Sequence, residues 1–434
     1  MQPLTFRQRI AVWRTTLAVG MFLAWRQLRR ASLATTALIV FVMLLTFLNL
    51  VVVSGLLVGL ITGSFTQFRE SYSGEVIVTA AQGRDHIERS QELLGFLASN
   101  PAVTALSPRR GVNVQMLGTL DDLPEKNERA NRIGIRLTGF DPLEEEKVTG
   151  FSRFVIKGSP LVAGEEGSVL IGANMLREYS SFADANIPGL DLLDGVDIGS
   201  RVRVTITSRD GNPVVKDFRV RGIVKTKVDE ISTRAFVLDT ELKRLLPAHK
   251  EEYQEIAIRT DPSYASLLVK QIQDVMGSSP ARVQTSEEAI PSFLRDIETT
   301  MGMLGNAISS IALVVASITV FIVIFINAIT RRKFIGILKG IGISGAAIET
   351  SYVIQSLAYA TAGSAIGAVI LFGFLKPFID ANPIDFPFSD GILVATPFGT
   401  TLRVIIILAT TLVAGYIPAK LIVRKNTLDS ILGR

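Results

Sequence analysis

The stretch LATTALIVFVMLLTFLNLVVVSGLLVGLI, residues 33–61, runs without a charged side chain. A bilayer core about 30 Å thick is crossed by roughly 20 predominantly apolar residues in a helix. The stretch therefore predicts a transmembrane helix near the N-terminus. A cleaved signal peptide is a poor alternative, because the apolar run is too long for one and no small-residue cleavage site follows it.

Three further segments meet the same length and composition criterion, at residues 305–330, 351–375 and 397–423. The last contains Arg403, whose long side chain can reach the membrane surface from near the helix end. Together with the first stretch they predict four spans, arranged as one plus three, with a large polar region between the first and the second. A mean hydropathy of +0.38 alongside 20% charged residues is typical of such a mixture.

Composition excludes several kinds of chemistry. The absence of cysteine excludes a disulfide framework, a cysteine nucleophile and cysteine-ligated zinc. His86 and His249 lie far apart in polar sequence, so we expect no histidine-based metal or catalytic site. No GxxxxGK(S/T) phosphate loop, GxSxG elbow or HExxH helix occurs. Any role driven by ATP therefore requires a separate ATPase subunit.

Lysine and arginine in the short segments beside the spans predict the orientation. Residues 1–32 carry arginines and no acidic residue, and residues 331–350 and 420–434 are also basic. The segment 376–396 is acidic instead. We therefore expect both termini and the 331–350 connection in the cytoplasm, with residues of about 65–300 outside.

The net charge follows from the same segments. Outside the three basic segments the chain has 31 basic and 38 acidic residues. The formal charge of +5 is thus carried by membrane-orienting side chains, and binding to nucleic acid is not needed to explain it.

The outer region reads as an α+β domain, which we expect to have two lobes joined near the polar segment 120–131. Alternating apolar residues predict strands, and 3-4 apolar spacing predicts helices. The strands are at 74–80, 132–140, 201–207 and 214–224, the last two as a hairpin, and the helices are at 85–99 and 264–276. The first span and the helix-like sequence before the second are long enough to project as a stalk, although a tilted helix and a separate amphipathic helix are an alternative.

Acidic groups in the outer region stand beside Lys, Pro or Gly in loop-like sequence. They are Asp121/Asp122, Glu144/Glu145/Glu146 and Asp191/Asp194/Asp197. None has the spacing of a calcium loop, so we interpret them as solvated loop charge.

Few polar side chains interrupt the spans. The residues are Asn49, Asn327, Gln355 and Ser364. An ion pathway would require buried carboxylates or histidines, so interhelical hydrogen bonding is the better interpretation. Gly363 and Gly367 form a GxxxG motif, which predicts close helix packing.

Between the second and third spans lies RRKFIGILKGIGIS, residues 331–344. If this stretch forms a helix, its basic residues come first and are followed by an apolar stripe of Phe334, Leu338 and Ile341. Glycines would weaken the helix about one turn later. This stretch resembles the signature of the FtsX/LolC/MacB-type ABC transporter permeases, the mechanotransmission class. YIPAKLIVRK (416–425) and LAWRQLRR (23–30) are similar to the sequences that follow the last span and precede the first in that family.

The resemblance implies a coupling helix that seats in a groove of the ATPase. The residues it assigns to ATPase coupling are Arg331, Arg332, Lys333, Phe334, Ile335, Gly336, Leu338 and Lys339. Phe334 departs from the glutamate that is usual there. A simple basic anchor that fixes topology is the alternative role for this stretch.

The resemblance also implies the assembly. Two permease copies, identical or paralogous, would bind two ABC ATPase subunits. ATP would be bound by the partner, so no cofactor, catalytic residue or metal ligand is expected on this chain. Motion of the first two spans would act on an outer domain similar to the porter and sabre subdomains of MacB-like proteins.

The predicted function is that of a permease subunit in the cell membrane, coupling ATP hydrolysis to export, extraction or release of an envelope substrate such as a lipoprotein, lipid, peptide or drug. An extracytoplasmic adaptor protein would be a further partner. One alternative is an FtsX-like scaffold that regulates an extracellular cell-wall enzyme. Another is a membrane enzyme or sensor that has no ATPase.

The predicted organisation follows the topology. The segments are the basic N-terminus (1–32), span one and stalk (33–65), the outer α+β domain (66–290), stalk and span two (291–330), the coupling segment (331–350), span three (351–375), the outer loop (376–396), span four (397–423) and the tail (424–434).

Overall fold

A computed structural model describes residues 6–118, 131–180, 191–207, 213–246, 252–277, 281–386, 390–391 and 393–424. These residues form two compact units. The membrane unit is drawn from residues 1–61, 296–385 and 390–434, and the outer unit from residues 62–295 and 386–389.

Long helices belong to the two ends of the chain, whereas short helices alternate with strands between them. The helices are α1 (Phe6–Arg29), α2 (Leu33–Phe68), α3 (Ser90–Ser99), α4 (Pro142–Thr149), α5 (Asp229–Ser232), α6 (Asp239–Leu245), α7 (Ala265–Met276), α8 (Ser286–Ala289), α9 (Ser292–Thr330), α10 (Arg332–Gly340), α11 (Gly345–Ile370), α12 (Lys376–Ala381) and α13 (Pro397–Val423). The strands are β1 (Val76–Ala80), β2 (Val103–Leu117), β3 (Arg132–Phe140), β4 (Val155–Gly158), β5 (Ser168–Gly172), β6 (Arg201–Thr207), β7 (Pro213–Val224), β8 (Arg234–Leu238), β9 (Glu255–Thr260), β10 (Ala281–Thr285), β11 (Ile384–Asp385) and β12 (Asp390–Gly391).

Among the described residues, four helical segments are long and apolar enough to cross a membrane, which confirms the one-plus-three prediction. They are Leu33–Ser73, Ser292–Thr330, Gly345–Ala381 and Pro397–Val423. α2 has 36 residues and α9 has 39, or about 54 Å and 58 Å at 1.5 Å per residue. α9 is therefore continuous from Ser292 to Thr330, so residues 292–304, which could have formed a separate amphipathic helix, belong to the same helix as the second span.

Close approach of backbones holds the membrane unit together. α11 packs against α1, α2 and α13. A Cβ atom on Gly20 of α1 would lie 2.9 Å from Thr350 Cγ2, and one on Gly415 of α13 would lie 2.3 Å from Ser356 Oγ. Because lipid is as apolar as the side chains it replaces, such shape fitting is what favours helix association in a bilayer.

The outer unit is built on one mixed sheet, as the predicted α+β class requires. Its strand order is β10-β1-β9-β2-β3-β8-β5-β7-β4, and β6 pairs with both β2 and β7. The predicted hairpin is present, since β6 and β7 pair antiparallel from Arg201↔Arg219 to Thr207↔Pro213. The predicted junction at 120–131 lies largely outside the described residues.

One strand joins the two halves of this sheet. The first part of β2, Val103–Arg109, pairs with β9, and the second part, Arg110–Leu117, pairs with β3. Separate apolar cores lie on either side: one includes Val78 and Ile256, and another includes Met116 and Val204. The two halves of the sheet therefore share a continuous strand, with Arg109 and Arg110 at the point where the pairing changes.

The end of α2 turns into the sheet through a glycine. Residues Arg69–Ser73 form a π-helical turn, and Gly74 follows with φ +63°. A Cβ atom on Gly74 would lie only 2.4 Å from the Ile258 carbonyl oxygen. Glycine is thus required here both for the backbone angle and for the close approach of β9.

Candidate functional site

The predicted coupling segment forms a short helix with a well-defined end. α10 stops where Gly342 adopts φ +95°, a conformation that other residues rarely adopt. The Gly342 N–H donates to the Lys339 carbonyl and the Ile343 N–H donates to the Leu338 carbonyl, both at 3.0 Å. These are the paired bonds of a Schellman cap, which satisfies the last carbonyls of the helix.

One face of α10 packs into the membrane unit. Ile335 and Gly336 are buried. Leu338 is half-buried and packs with Ile335 against the core that contains Tyr352. This face anchors α10 to the spans.

A second face of α10 is apolar and exposed. Phe334, Ile337 and Ile341 are 66%, 52% and 71% exposed. The predicted stripe of Phe334, Leu338 and Ile341 is therefore corrected at one position, because Leu338 turns inward and Ile337 takes its place. We call Phe334, Ile337 and Ile341 the exposed stripe.

The basic residues of the segment point to different surroundings. Lys333 is exposed beside the exposed stripe, and Arg332 is half-buried. The Lys339 Nζ donates to the Val423 carbonyl at the end of α13, where a positive charge also favours the helix dipole. Arg331 lines a cavity between helices. The four cations thus do not form one continuous patch.

The next helix starts close to the end of α13. Ser344 is the N-cap of α11, and its hydroxyl accepts the Ala347 N–H at 3.3 Å. A Cβ atom on Gly345 would lie 3.1 Å from Val423 Cγ1. α10 is therefore held between the beginning of α11 and the end of α13.

The GxxxG glycines face α2 of the same chain. A Cβ atom on Gly363 would lie 2.5 Å from Met43 Cβ and 2.9 Å from the Leu44 nitrogen. A Cβ atom on Gly367 would lie 2.4 Å from Phe47 Cδ1. These contacts leave the motif no room for a second copy of the chain.

Hydrogen bonds link some of the polar residues in the helices. The Gln355 Nε2 of α11 donates to Gln27 Oε1 of α1 at 2.6 Å. Ser54 of α2 and Ser309 of α9 share a hydrogen bond of 3.2 Å. The prediction of interhelical hydrogen bonding is therefore right for Gln355, whereas Asn49 Oδ1 and the Ser364 hydroxyl are buried without a hydrogen-bond partner among the described residues.

The outer unit contains a buried ionic cluster around the midpoint of β2, which sequence reasoning missed. Arg109 donates two hydrogen bonds of 2.7 and 2.8 Å to Glu145 of α4. Arg234 of β8 donates to both oxygens of Glu255 at 3.0 Å. The Tyr72 ring lies between Arg109 and Arg234, with each guanidinium carbon 5.2 Å from its centroid.

In this cluster, the buried carboxylates are compensated by buried guanidinium groups. Burial by itself would raise the pKa of Glu255, but Arg234, Arg136 and Arg109 outweigh it and lower the pKa to about 2. Burial, together with the nearby Glu255 charge, raises the pKa of Tyr72 to about 12. Glu255 is therefore ionised and Tyr72 neutral at physiological pH.

The cluster fastens the end of α2 within the outer unit, because Tyr72 belongs to the π-helical turn that follows that helix. It also corrects one prediction. The sequence predicts Glu145 as solvated loop charge, whereas in the structure it is 1% exposed and pairs with Arg109. The pattern PLEEEKVT could have indicated a helix in which one glutamate faces inward. The partner of that glutamate, Arg109, lies on a strand that is distant in sequence.

The other acidic groups that the structure describes behave as surface charge. Asp197 pairs with Lys157 at 2.6 Å, and Asp194 lies 3.3 Å from Arg177. The four side chains are between 41% and 69% exposed. Residues 121–122 lie outside the described residues.

Metal ligands do not cluster in the described part of the chain, where no group of three or more His, Asp or Glu side chains could hold a metal ion. His86 Nδ1 lies 3.5 Å from a Glu252 oxygen. His249 lies outside the described residues.

A comparison with protein families matches residues 306–427 to the FtsX-like permease C-terminal family. The match includes α10 and the glycines of α11. The family resemblance is therefore confirmed for this part of the chain. No curated protein matches the chain.

Two solved structures are similar to about half of the chain. The periplasmic region of MacB from Actinobacillus actinomycetemcomitans is 11% identical, with a TM-score of 0.33 over 52% of this chain and 94% of that one. The extracellular domain of the noncanonic ABC-type transporter YknZ from Gram-positive bacteria is 14% identical, with a TM-score of 0.30 over 48% of this chain and 98% of that one.

Proposed function

We propose that the chain is the permease subunit of an ABC transporter, in which a separate ATPase binds α10 and drives conformational work in the outer unit. The family match of residues 306–427 supports the class of protein. The exposed stripe on α10 is the observation that carries the coupling role. Two permease copies and two ATPase subunits would complete the assembly.

The exposed stripe fits a helix-in-groove contact. Phe334, Ile337 and Ile341 follow i, i+3, i+7 spacing, the anchor spacing of helices that bind in apolar grooves. Burying each large apolar side chain contributes about 1.5–3 kcal/mol. Lys333 beside the stripe would add an electrostatic contact with an acidic rim on the ATPase.

The inward face of α10 provides the route for motion. Ile335 and Leu338 pack into the core of the spans, and Lys339 holds the end of α13. A displacement imposed on the exposed stripe would therefore be transmitted to α11 and α13. Within the outer unit, the end of α2 is held by Tyr72 between two arginines, so a movement of α2 would act directly on the sheet.

Copurification of the ATPase tests this proposal. Phe334→Ser combined with Ile337→Ser should abolish recovery of a co-expressed ABC ATPase partner. Leu143→Ser is a matched control, because Leu143 is also 66% exposed but lies on α4 in the outer unit. Full ATPase recovery by the double variant, with normal membrane insertion, would overturn the proposal.

The orientation has a separate test that the cysteine-free chain makes simple. A membrane-impermeant maleimide applied to intact cells should label a Leu143→Cys variant and not an Ile341→Cys variant. Labelling should appear at Ile341→Cys only after the cells are opened. The reverse pattern would place the coupling helix outside and exclude a cytoplasmic ATPase partner.

A further inference from the structure

A polar cavity lies within the membrane unit where three helical segments meet. Its volume is about 180 Å³, and it is bounded by the turn between α1 and α2, the end of α9 and the first part of α11. The polar lining includes Thr36, Asn327, Arg331, Tyr352 and Gln355. At about 30 Å³ of liquid per water molecule, the cavity exceeds what one or two bridging waters fill.

One of the residues that line the cavity, Tyr352, carries an unsatisfied hydroxyl group. Tyr352 is 1% exposed, and its hydroxyl has no hydrogen-bond partner among the described residues. A buried hydroxyl without a partner costs free energy comparable to a lost hydrogen bond. The Tyr352 hydroxyl thus indicates that the site binds an acceptor.

The charge of the lining indicates an anion. Arg331 supplies a guanidinium, whose planar donors match the oxygens of a phosphate group. No carboxylate occurs among the described residues that line the cavity, and the nearest part of α10 begins with two further cations. A negatively charged ligand is therefore favoured over a cation and over a zwitterion that carries an amine.

The position of the cavity indicates a lipid. Thr36 lies one turn into α2, and Asn327 lies one turn before the end of α9. Tyr352 is at the beginning of the third predicted span. All three residues lie near the ends of predicted spans, and phospholipid headgroups lie outside the hydrocarbon core at the level of such span ends.

We propose that this cavity binds the phosphate group of an anionic phospholipid, with Arg331 and the Tyr352 hydroxyl as its principal donors. Arg331 then acts in lipid binding, whereas the exposed stripe on α10 acts in ATPase binding. The headgroup would join α1, α9 and α11 next to the coupling helix.

Native mass spectrometry of the full-length chain in detergent tests the site. The protein is titrated with phosphatidylglycerol or with phosphatidylcholine of the same acyl chains. We expect at least tenfold tighter binding of phosphatidylglycerol. Arg331→Gln and Tyr352→Phe should each weaken it about tenfold, the loss expected for one hydrogen bond to a charged group.

Two controls separate this site from general surface charge and from misfolding. Lys333→Gln removes an exposed cation two residues from Arg331 and should leave lipid affinity unchanged. Arg331→Lys retains the charge and should keep most of the preference for phosphatidylglycerol, whereas Tyr352→Phe removes a single oxygen atom and leaves the packing intact. Equal binding of the two lipids, or equal losses in Arg331→Gln and Lys333→Gln, would overturn the proposal.

Inorganic phosphate distinguishes the source of the phosphate group. Phosphate at the same concentration as the lipid should not displace phosphatidylglycerol, because it lacks the acyl chains. Displacement by free phosphate at that concentration would assign the cavity to a soluble anion and overturn the lipid assignment.

Discussion

The membrane unit and the outer unit bury their interiors by different means. In the membrane unit, glycines such as Gly363 and Gly415 bring helices into backbone contact, and the buried side chains that the structure describes there include no carboxylate. In the outer unit, Arg109, Glu145 and Glu255 are buried as ion pairs at the centre of the sheet. Lipid offers no hydrophobic gain for helix association, so the fit between helix surfaces decides the stability of the membrane unit. Around the outer unit, water favours the burial of apolar side chains, and charged side chains can be buried with them when they form ion pairs.

The largest expected effect comes from breaking a buried ion pair. Glu145→Ala leaves Arg109 buried without its bidentate partner and should lower the free energy of unfolding of the outer unit by about 3–5 kcal/mol. Asp217→Ala breaks the exposed pair with Arg203, which has similar bidentate geometry, and should cost less than about 1 kcal/mol. Urea unfolding of the full-length chain, followed by far-UV circular dichroism, measures both. Equal losses of unfolding free energy in the two variants would show that burial does not decide how much an ion pair stabilises the outer unit.

Acid should destabilise the outer unit before the membrane unit. The pKa of Glu255 is about 2 in the folded chain and near 4.5 in the unfolded one. Its contribution is therefore fully present above pH 4.5 and lost as the pH falls towards 2, by about 3 kcal/mol at 1.36 kcal/mol per pKa unit. The urea midpoint of the sheet signal should fall between pH 6 and pH 3, while the helical signal of the spans changes little. A parallel decline of both signals would contradict the contrast between the two units.

Alkali should have the complementary effect through Tyr72. The pKa of this phenol is raised from 10.0 to about 12, so its contribution is present below pH 10 and lost as the pH rises through 12. In Tyr72→Phe, the loss of stability that the ionisation of Tyr72 causes at alkaline pH should be absent. Spectrophotometric titration of the phenols at 295 nm would show one late-ionising group fewer in the variant.

A glycine substitution tests the packing of the membrane unit. Gly363→Ala places a methyl group against Met43 Cβ and the backbone of Leu44, and should lower stability by about 1–3 kcal/mol. Gly302→Ala is the matched control on α9, because no atom lies within 4 Å of its added Cβ. The control should be neutral or slightly stabilising, since alanine is the better helix former. Thermal melting in detergent compares the two variants, and an equal Tm would show that the close approach of α2 is not required.

The smallest expected effect concerns the end of α10. Gly342→Ala forces alanine into a left-handed conformation and should cost about 1 kcal/mol. Gly340→Ala, at the last residue of α10 and with free space around the added Cβ atom, should gain up to about 1 kcal/mol. Hydrogen exchange of residues 332–343 reports both changes. Similar exchange in the two variants would mean that the cap does not define the end of α10.

Several local features were predictable because their signal is contained in the segment itself. Four spans follow from apolar runs, and the β6–β7 hairpin follows from alternation on both sides of a turn sequence. β2 was missed because Pro108 and Gly111 interrupt its pattern, although strand pairing on both sides stabilises it. The prediction that Glu145 is solvated is wrong because its partner Arg109 is distant in sequence.

The sequence by itself determined where the four long apolar helices lie, and that a connection with basic and apolar residues joins the second and third of them. Only the tertiary structure decided that Ile337 and not Leu338 faces outward, that Arg331 lines a cavity, and that Glu145 is buried. The reason is physical. Apolar length and charge act locally along the chain, whereas the face that a side chain presents depends on which distant helix or strand packs against it.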